Sequence, residues 1–507
     1  MNSLLDTPLD QTLKRLWSRL PQAWKLAFAA LAVVQLLAFG FEMTNLTLHH
    51  DDLAQIFIQD TQLGRYLGRF STGWWHYYTQ GAYFMPFWQM VQAIVLMGAY
   101  ALTIAQLWGL RRGFDIAVVG ALMVVFPYMA HVYQYNTTMA TYTVAHLLAA
   151  LAILWAVRAR VHTILLAAAC LFFAFSFYQS VANNAAVIFL TWLLLRWLDA
   201  DTAQAGEPRP RLWRPLLSTV LAALIGGLAY VAVVRSMDIP FDDYQSAGQA
   251  FELGRSIDPV LALRTLYEGS RAFYLWPEFY FPLPLKLAQL ALLGGALFVC
   301  IALPRRPWRK AVAVALLLAV TLAPRALQML HPHGHFHQLT LTAYAVVVAG
   351  AAALILRHGR AWAGNGTRLV ALFLILGYIV QCNWISTVNL LNTQAHFHTL
   401  GQILARVRAL PPQAWDGRTV VVVGRLDMAR EHPYRPAIGV APRFMDAAHM
   451  DRMARLLRDP VRFVAADEHT AWALDYARIH PTWPAAQSVT ALHGRALVVL
   501  SQDPRAP

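Results

Sequence analysis

Apolar runs of roughly 17 to 25 residues, each bounded by charged residues or proline, recur along the chain from Ala23 to Val388. As helices, runs of this length span the ~30 Å hydrocarbon core of a bilayer. The stretch Val161–Leu198 would be about 57 Å long as one helix, so we divide it into two spans at the polar segment Tyr178–Asn184. The pattern predicts a mostly α-helical, multi-pass membrane bundle of about eleven spans.

Basic residues between the apolar runs predict the orientation of this bundle. Lys14, Arg15, Arg19 and Lys25 precede the first span and indicate a cytoplasmic N-terminus, because positive charge accumulates in cytoplasmic segments. The alternation of spans then predicts external loops and an external C-terminal part, which would be periplasmic for a protein of a bacterial inner membrane. These external segments are residues 45–85, 235–284, 331–338 and 389–507.

The residues after the last predicted span have a different pattern from those before it. Short β-branched runs such as Arg418–Gly424 alternate with a helix-like segment, Met445–Asp459, as in a small α/β domain. We therefore predict two domains: a membrane domain over residues 1–388 and an external α/β domain over residues 389–507.

Composition narrows the class of protein further. Of the residues, 58% are hydrophobic and 13% are charged, and the formal charge of +14 is explained by topogenic arginines and lysines rather than by nucleic-acid binding. The three cysteines lie inside predicted spans and indicate neither disulfides nor a zinc site. Since the cytoplasmic loops carry no phosphate-binding glycine motif, a nucleotide donor is disfavoured, whereas a lipid-linked sugar would reach groups on the external face.

The main candidates for chemistry are two carboxylates that follow the first span. Asp51 and Asp52 come directly after His49 and His50, and a carboxylate there could take a proton from a sugar hydroxyl. The alternative is that the two acids cap the helix that follows them. Asp51 is the better placed of the two as a cap, so we favour Asp52 as the base.

Basic residues near the outer ends of the spans are candidates for binding a phosphate group. Arg65 and Arg69 would share one face if their segment is helical, and Arg325 follows Pro324 near membrane depth, where a charge usually faces a cavity or a partner. Two further basic residues border the same side, and snorkelling to the interface is the alternative for them and for Arg325: Lys286 and Arg271.

A histidine-rich segment lies in the external loop 331–338. The alternate histidines are interrupted by Pro332 and Gly334, which does not match a helical zinc pair, so a role in shaping the acceptor or headgroup site is favoured over a metal site. These histidines are His331, His333, His335 and His337. No resident cofactor is predicted, and a divalent metal is left open.

Several short motifs, taken in order, resemble the O-antigen serotype-conversion glucosyltransferases, which are GT-C-type membrane enzymes that use undecaprenyl-phosphate-linked glucose. The motifs are the acidic pair followed by Gly68-Arg69, the turn Phe177-Tyr178-Gln179-Ser180, Pro324-Arg325, the helix-like Asn389–Leu410 and the closing hairpin WPAAQSVTALHGRALVVLS. The resemblance implies that Asp51 or Asp52 activates the acceptor hydroxyl and that Arg69 and Arg325 hold the donor phosphate. Tyr178 and Gln179 would help to shape the substrate site.

The residues and the resemblance together predict a glycosyltransferase that moves a hexose, expected to be glucose, from a polyprenyl phosphate to a surface glycan on the periplasmic face. Its expected partners are the lipid-linked sugar, the glycan acceptor and the bilayer, with no nucleic acid. A transporter or flippase of lipid-linked saccharide is the alternative, although we find no internal repeat of the kind common in transporters. A partner-binding domain anchored by the spans is a third reading, for which eleven spans are many more than an anchor needs.

Overall fold

The computed structural model describes residues 11, 14, 18–57, 64–202, 212–237, 258–304, 306–330, 337–428 and 444–502. Within them the chain forms two compact units. The first, called here the membrane unit, comprises Met1–Met43, Asp60–Tyr133 and Thr138–Asn383, and the second unit comprises Thr44–Gln59, Gln134–Thr137 and Trp384–Pro507.

The membrane unit is built from helices, most of which are long and apolar. They are α1 (Gln22–Thr44), α3 (Phe70–Gln80), α4 (Pro86–Leu107), α5 (Gly113–Val124), α6 (Met129–Tyr133), α7 (Met139–Ala156), α8 (Val161–Phe177), α9 (Val181–Thr202), α10 (Trp213–Ser236), α11 (Pro259–Leu275), α12 (Leu283–Ala302), α13 (Pro307–Leu322), α14 (Ala343–His358) and the first part of α15 (Ala361–Arg408). A short helix that belongs to the second unit, α2 (His50–Gln55), follows α1. Three 3₁₀ segments complete the unit: Arg65–Leu67, Ala323–Met329 and Gln338–Leu341.

Nine helical segments of the described chain are long and apolar enough to cross a membrane, so the protein is a mostly helical, multi-pass membrane protein. Helices α5 and α8 coincide with two further predicted spans but are shorter, and the count of eleven is therefore not confirmed. Helix α8 ends at Phe177 and α9 begins at Val181, which confirms the predicted break in the long apolar stretch.

Helix α14 forms the centre of the membrane unit, since 89% of the spanning window that contains it is buried by protein. Its residues are small or β-branched, as in Val346, Ala349 and Ala353, so that neighbouring helices approach closely on all sides. Helices α5, α9 and α12 pack directly against it. The first residues of α14 therefore have a fixed position relative to the first residues of α9.

The second unit contains a four-stranded sheet in the order β4-β1-β6-β5. The strands are β1 (Trp415–Val423), β4 (Arg462–Ala465), β5 (Val489–Leu492) and β6 (Gly494–Val499), while β2 (Leu426–Asp427) and β3 (Phe444–Met445) form a separate pair. Strand β1 is parallel to β4 and β6, whereas β5 and β6 form an antiparallel hairpin. The strands predicted around Val420 and Val498, and the closing hairpin, are confirmed.

Two helices complete the α/β part of the second unit. Helix α17 (Ala471–Ile479) buries Ala473 and Ala477 against the apolar side chains of β1 and β6. Helix α16 (Ala447–Leu456) lies within the predicted helical segment and packs beside β4 and α2. The acidic pair on α2 thus belongs to the same unit as the C-terminal sheet.

Candidate functional site

The carboxylate of Asp52 is fully buried in the second unit and accepts four hydrogen bonds. Asn136 Nδ2 (2.9 Å) and the backbone N–H of His49 (3.0 Å) donate to Oδ2, and the backbone N–H and hydroxyl of Thr137 (both 3.2 Å) donate to Oδ1. Asn136 Nδ2 also donates to the carbonyl of Thr47 at 2.6 Å. Asp52 therefore joins the segment after α1 to the segment Gln134–Thr137, and these bonds occupy about all the lone pairs of a carboxylate.

The capping of helix α2 differs from the expectation. The N-cap residue is His49, whose Nδ1 accepts from the backbone N–H of Asp51 at 3.1 Å, while Asp52 at the third helical position reaches back to the His49 N–H. The expectation that Asp51 is the better placed cap was wrong, because the N-cap position is occupied by His49, two residues before Asp51. Asp52 is the capping acid, and the side chain of Asp51 is 58% exposed.

The two acids consequently differ in their capacity for proton transfer. Burial raises the pKa of the Asp52 carboxyl from 3.8 to about 7, and the nearby charge of Asp51 adds to the rise, against hydrogen bonds from Asn136, His49 and Thr137 that lower it. A general base must come within hydrogen-bond reach of the proton that it takes. The Asp51 side chain is exposed and accessible to an external group, whereas Asp52 would first have to release one of its four donors.

Arg69 lies at the start of α3, just after a tight loop of the membrane unit. Gly64 (φ +76°) and Gly68 (φ +73°) flank the 3₁₀ turn Arg65–Leu67, and a Cβ on Gly64 would lie 3.1 Å from the Cβ of Arg69. Because the chain turns at Gly68, Arg65 and Arg69 do not share one helical face, and Arg65 is exposed. The loop therefore separates these two predicted phosphate ligands.

The guanidinium of Arg69 is surrounded by polar and aromatic side chains of other helices. It donates to Tyr142 Oη (3.2 Å) and Gln179 Oε1 (3.4 Å), and it lies 4.9 Å from the ring centroid of Tyr178. Gln179 in turn donates to the Leu67 carbonyl (2.7 Å) and to Tyr230 Oη (2.8 Å). Tyr178 and Gln179, both predicted as site residues, therefore lie against Arg69.

Arg325, the other arginine that the resemblance implicates, also has its guanidinium held by neighbouring side chains. Its Nε donates to Tyr344 Oη at 2.8 Å and its Nη1 donates to Gln328 Oε1 at 3.0 Å. A Cβ on Gly269 of α11 would lie 2.5 Å from Nη1, so a larger residue there would displace the guanidinium where it crosses this helix. Arg325 thus lies between α11 and α14, and it faces protein partners as expected for a charge near membrane depth.

The two other predicted phosphate ligands of this region have different surroundings. Lys286 is 1% exposed, donates to the carbonyl of Phe273, and has its ammonium 4.1 Å and 4.7 Å from the ring centroids of Phe273 and Phe281. The alternative that Lys286 extends its ammonium group to the membrane interface is therefore wrong. Arg271 is exposed on α11, in contrast to the enclosed Lys286.

One polar segment positions both Arg69 and Arg325. Gln179 bonds the loop before Arg69, and four residues later Asn183 Nδ2 donates to the Pro324 carbonyl (2.8 Å) while its Oδ1 accepts from the Leu327 N–H (3.2 Å). Next to it, Asn184 Nδ2 donates to Thr342 Oγ1 at 3.1 Å, just before α14. Residues 178–184, which comprise the break after α8 and the first turn of α9, are therefore the common support of the two arginines.

Sequence reasoning did not single out several of these supporting residues. Asn183 and Asn184 were part of the predicted turn but had no assigned role, and Asn136 and Thr137 were not singled out. The available signal was the same in each case: amide or hydroxyl side chains between two apolar runs, where a polar group usually has a specific partner. The aromatic partners Tyr142, Tyr230 and Tyr344 lie inside apolar runs and carry no such signal.

The histidine segment is only partly described. His331, His333 and His335 lie outside the described residues, whereas His337 caps the 3₁₀ turn Gln338–Leu341 by accepting from Leu339 N–H, and its ring lies 5.1 Å from that of His131. No group of three or more potential metal ligands lies together within the described parts of the chain. The role of the histidines in shaping the substrate site stays a prediction.

Most of the chain matches a known protein family. A family model described as "Glucosyl transferase GtrII" matches residues 40–400, which include the acidic pair and both supported arginines. Comparisons with curated proteins and with solved structures gave no match.

Proposed function

Because the chain belongs to the GtrII glucosyl transferase family, we propose that this membrane glucosyltransferase moves glucose from an undecaprenyl-phosphate-linked donor to a cell-surface glycan such as O-antigen. The reaction would take place on the periplasmic face of the inner membrane, with the N-terminus in the cytoplasm and residues 389–507 in the periplasm. Family membership favours transfer over the transport of an intact lipid-linked saccharide.

The observation that carries the choice of donor is the support of Arg69 and Arg325 by one segment, residues 178–184, inside a unit made of apolar helices. Guanidinium groups bind phosphate through paired hydrogen bonds, and a phosphate within an apolar bundle is most readily delivered on a lipid. In this proposal Arg69 and Arg325 bind the donor phosphate. Lys286, Arg65 and Arg271 are secondary candidates for the same role.

The proposed reaction forms a bond between an acceptor hydroxyl oxygen and the anomeric carbon of glucose. The bond from that carbon to the lipid phosphate breaks, and the phosphate leaves with the electron pair, where positive side chains stabilise its charge. The proton of the acceptor hydroxyl goes to a carboxylate of the acidic pair. We assign this step to Asp51, the exposed acid, and a positioning role to Asp52, whose four hydrogen bonds fix the segment that carries Asp51.

Single replacements of the two acids test this assignment. Asp51→Asn should abolish glucosylation of the surface glycan, measured by mass spectrometry, while the protein accumulates in the membrane and melts at the wild-type temperature. Asp52→Asn should lower both glucosylation and the melting temperature, because an amide group cannot accept from all four donors. Asp475→Asn is the matched control, since Asp475 is also exposed in the second unit and, within the described ranges, its ion pair is with Arg478 on its own helix. Full glucosylation by both variants would exclude the acidic pair from catalysis.

The donor is tested separately with the purified enzyme. Glucose linked to a polyprenyl phosphate should support transfer, whereas a nucleotide-linked glucose should not. Transfer from the nucleotide donor in the absence of any lipid-linked sugar would contradict the proposed donor and leave the family assignment intact.

A further inference from the structure

A strongly basic cavity lies at the other ends of α9 and α14 from the arginine sites described above. Its volume is about 640 Å³, and it opens between the α4–α5 turn, α9 and the α14–α15 turn. Six arginines and one aspartate are the charged residues of its lining: Arg111, Arg112, Arg196, Arg357, Arg360, Arg368 and Asp115. The lining is therefore strongly positive.

Three of these arginines are held by acceptors within the protein. Arg368 forms a two-bond pair with Asp115 (2.8 and 3.0 Å), and Arg357 donates to the Trp108 carbonyl (2.7 Å) and to Asp199 (2.6 Å). Arg196 pairs with the same Asp199 at 3.3 Å. These bonds give the cavity a fixed wall, because the charged groups are tied to helices on both sides of it.

The other three arginines have no such acceptors. Arg111, Arg112 and Arg360 are exposed, and their side chains make no hydrogen bond or ion pair with any residue in the described ranges. These three arginines lie at short turns next to the fixed wall, and their guanidinium N–H groups are free to bind a ligand. The positive charge of the cavity is thus only partly neutralised by the protein itself.

The cavity is distinct from the site of Arg69 and Arg325. Arg325 contacts Tyr344 at the start of α14, whereas Arg357 lies at the end of this helix. At 1.5 Å per residue, Tyr344 and Arg357 are separated by about 20 Å of helix. Helix α9 has the same polarity: Asn183 near its start bonds Pro324, and Arg196 near its end lines the cavity. A ligand in the cavity would therefore bind independently of the glucosyl transfer site.

Exposed tryptophans lie near the same helix ends. Trp362 is two residues after Arg360 and 68% exposed, and Trp308 is 53% exposed and contacts Trp197 near the end of α9. Tryptophans concentrate at the level of the lipid headgroups. A cavity at this level is open to membrane lipids as well as to water.

We propose that this cavity binds the phosphate-bearing headgroup of an anionic membrane lipid. Its volume lies within the roughly 300–1,000 Å³ of typical ligand pockets, and its unpaired guanidiniums match the geometry of a phosphate group. Basic pockets between spanning helices are a known mode of binding for such headgroups. A role in setting membrane orientation would explain the arginines in the loops. It does not explain why Arg196 and Arg368, which lie on helices, line the same cavity.

The proposal is tested by titrating the purified full-length protein in neutral detergent with phosphatidylglycerol and measuring the bound lipid by native mass spectrometry. The double variant Arg111→Gln/Arg360→Gln should bind at least about tenfold more weakly, because two charge-assisted contacts are removed. Arg112→Gln alone should give a smaller loss in the same direction. Arg306→Gln is the matched control, since Arg306 is exposed at the same helix ends but does not line the cavity.

Two further ligands separate the possible sources of phosphate. Phosphatidylcholine should bind weakly and equally to all variants, and millimolar inorganic phosphate should not displace the anionic lipid. Equal binding of phosphatidylglycerol to the wild type and to a normally melting double variant would overturn the proposal. Displacement by inorganic phosphate would overturn the assignment of the cavity to a lipid.

Discussion

Replacing Asn183 by alanine gives the sharpest test of how the membrane unit supports Arg325. The change removes two hydrogen bonds, from Asn183 Nδ2 to the Pro324 carbonyl and from the Leu327 N–H to Asn183 Oδ1. Both bonds hold the 3₁₀ segment Ala323–Met329, which carries Arg325. Asn183 does not touch the Arg325 side chain in either bond, so the expected effect is a displacement of the segment rather than a loss of charge.

The magnitude follows from the number and kind of bonds. Side-chain hydrogen bonds inside membrane proteins contribute on average about 0.6 kcal/mol each, and those in soluble proteins about 1 kcal/mol. Losing two of them should shift the equilibrium toward a displaced Arg325 segment by about 1 to 2 kcal/mol, so the rate of glucosyl transfer should fall by at most roughly five- to thirtyfold. The melting temperature should fall only slightly, because the helices themselves keep their packing.

The assay is glucosyl transfer by the purified enzyme in a double-mutant cycle of Asn183→Ala and Arg325→Gln. If Asn183 acts through Arg325, the second replacement should cost little once the first is present, so the losses should not add. Thr191→Val is the matched control: Thr191 is buried two turns further along α9, and its hydroxyl has no hydrogen-bond partner among the described residues. Strictly additive losses, or equal losses in Asn183→Ala and Thr191→Val, would refute the reasoning.

A change of pH and a replacement of Gly269 give two further predictions. The pKa of Asp52 rises from 3.8 to about 7 on folding, so the folded state binds a proton more tightly than the unfolded state. Protonation of Asp52 therefore stabilises the folded state by up to about 4 kcal/mol. This stabilisation is complete below pH 4 and is lost as the pH rises to 7. Melting temperatures of the full-length protein should therefore fall from pH 4 to pH 7, and Asp52→Asn should flatten this dependence; parallel curves would exclude Asp52 as its source. Gly269→Ala should displace the Arg325 guanidinium and lower the rate of glucosyl transfer several-fold. The melting temperature should change little, because the flexible arginine side chain moves more readily than the helix. Wild-type activity of this variant would argue against a role for the Arg325 guanidinium.

The spans could be predicted from the sequence because membrane thickness sets the length of an apolar helix. A break within residues 178–184 followed from the same argument, and α8 ends at Phe177 while α9 begins at Val181. The predicted last span ends at Val388, and the helix-like segment Asn389–Leu410 continues it, since α15 runs as one helix to Arg408. Hydropathy marks where a helix becomes polar, not where its backbone hydrogen bonds end.

The arrangement of the candidate residues could be predicted only in part. Asp52 is held by Asn136 and Thr137, which are 84 and 85 positions away in the sequence, and no local pattern pairs residues at that separation. The choice of Asp51 as the cap failed for a local reason, since histidine is an unusual N-cap residue and the helix start was placed too late. Arg325 was predicted from its charge near membrane depth and Arg69 from its spacing from Arg65. The segment that supports both was predicted as a turn with Tyr178 and Gln179 shaping the substrate site, without its contacts to the two arginines.

The polar residues in that turn explain how arginines can be carried on irregular backbone next to apolar helices. Backbone groups outside regular helices need hydrogen-bond partners where water is scarce, because each unsatisfied group costs several kcal/mol in hydrocarbon. Gln179 supplies a donor to the Leu67 carbonyl before Arg69, and Asn183 pairs both the Pro324 carbonyl and the Leu327 N–H around Arg325. The amides that interrupt the apolar run between α8 and α9 therefore also satisfy the two non-helical segments that carry the arginines. A replacement that restores an unbroken apolar helix here would leave both segments without partners, so the break and the arginine sites depend on the same residues.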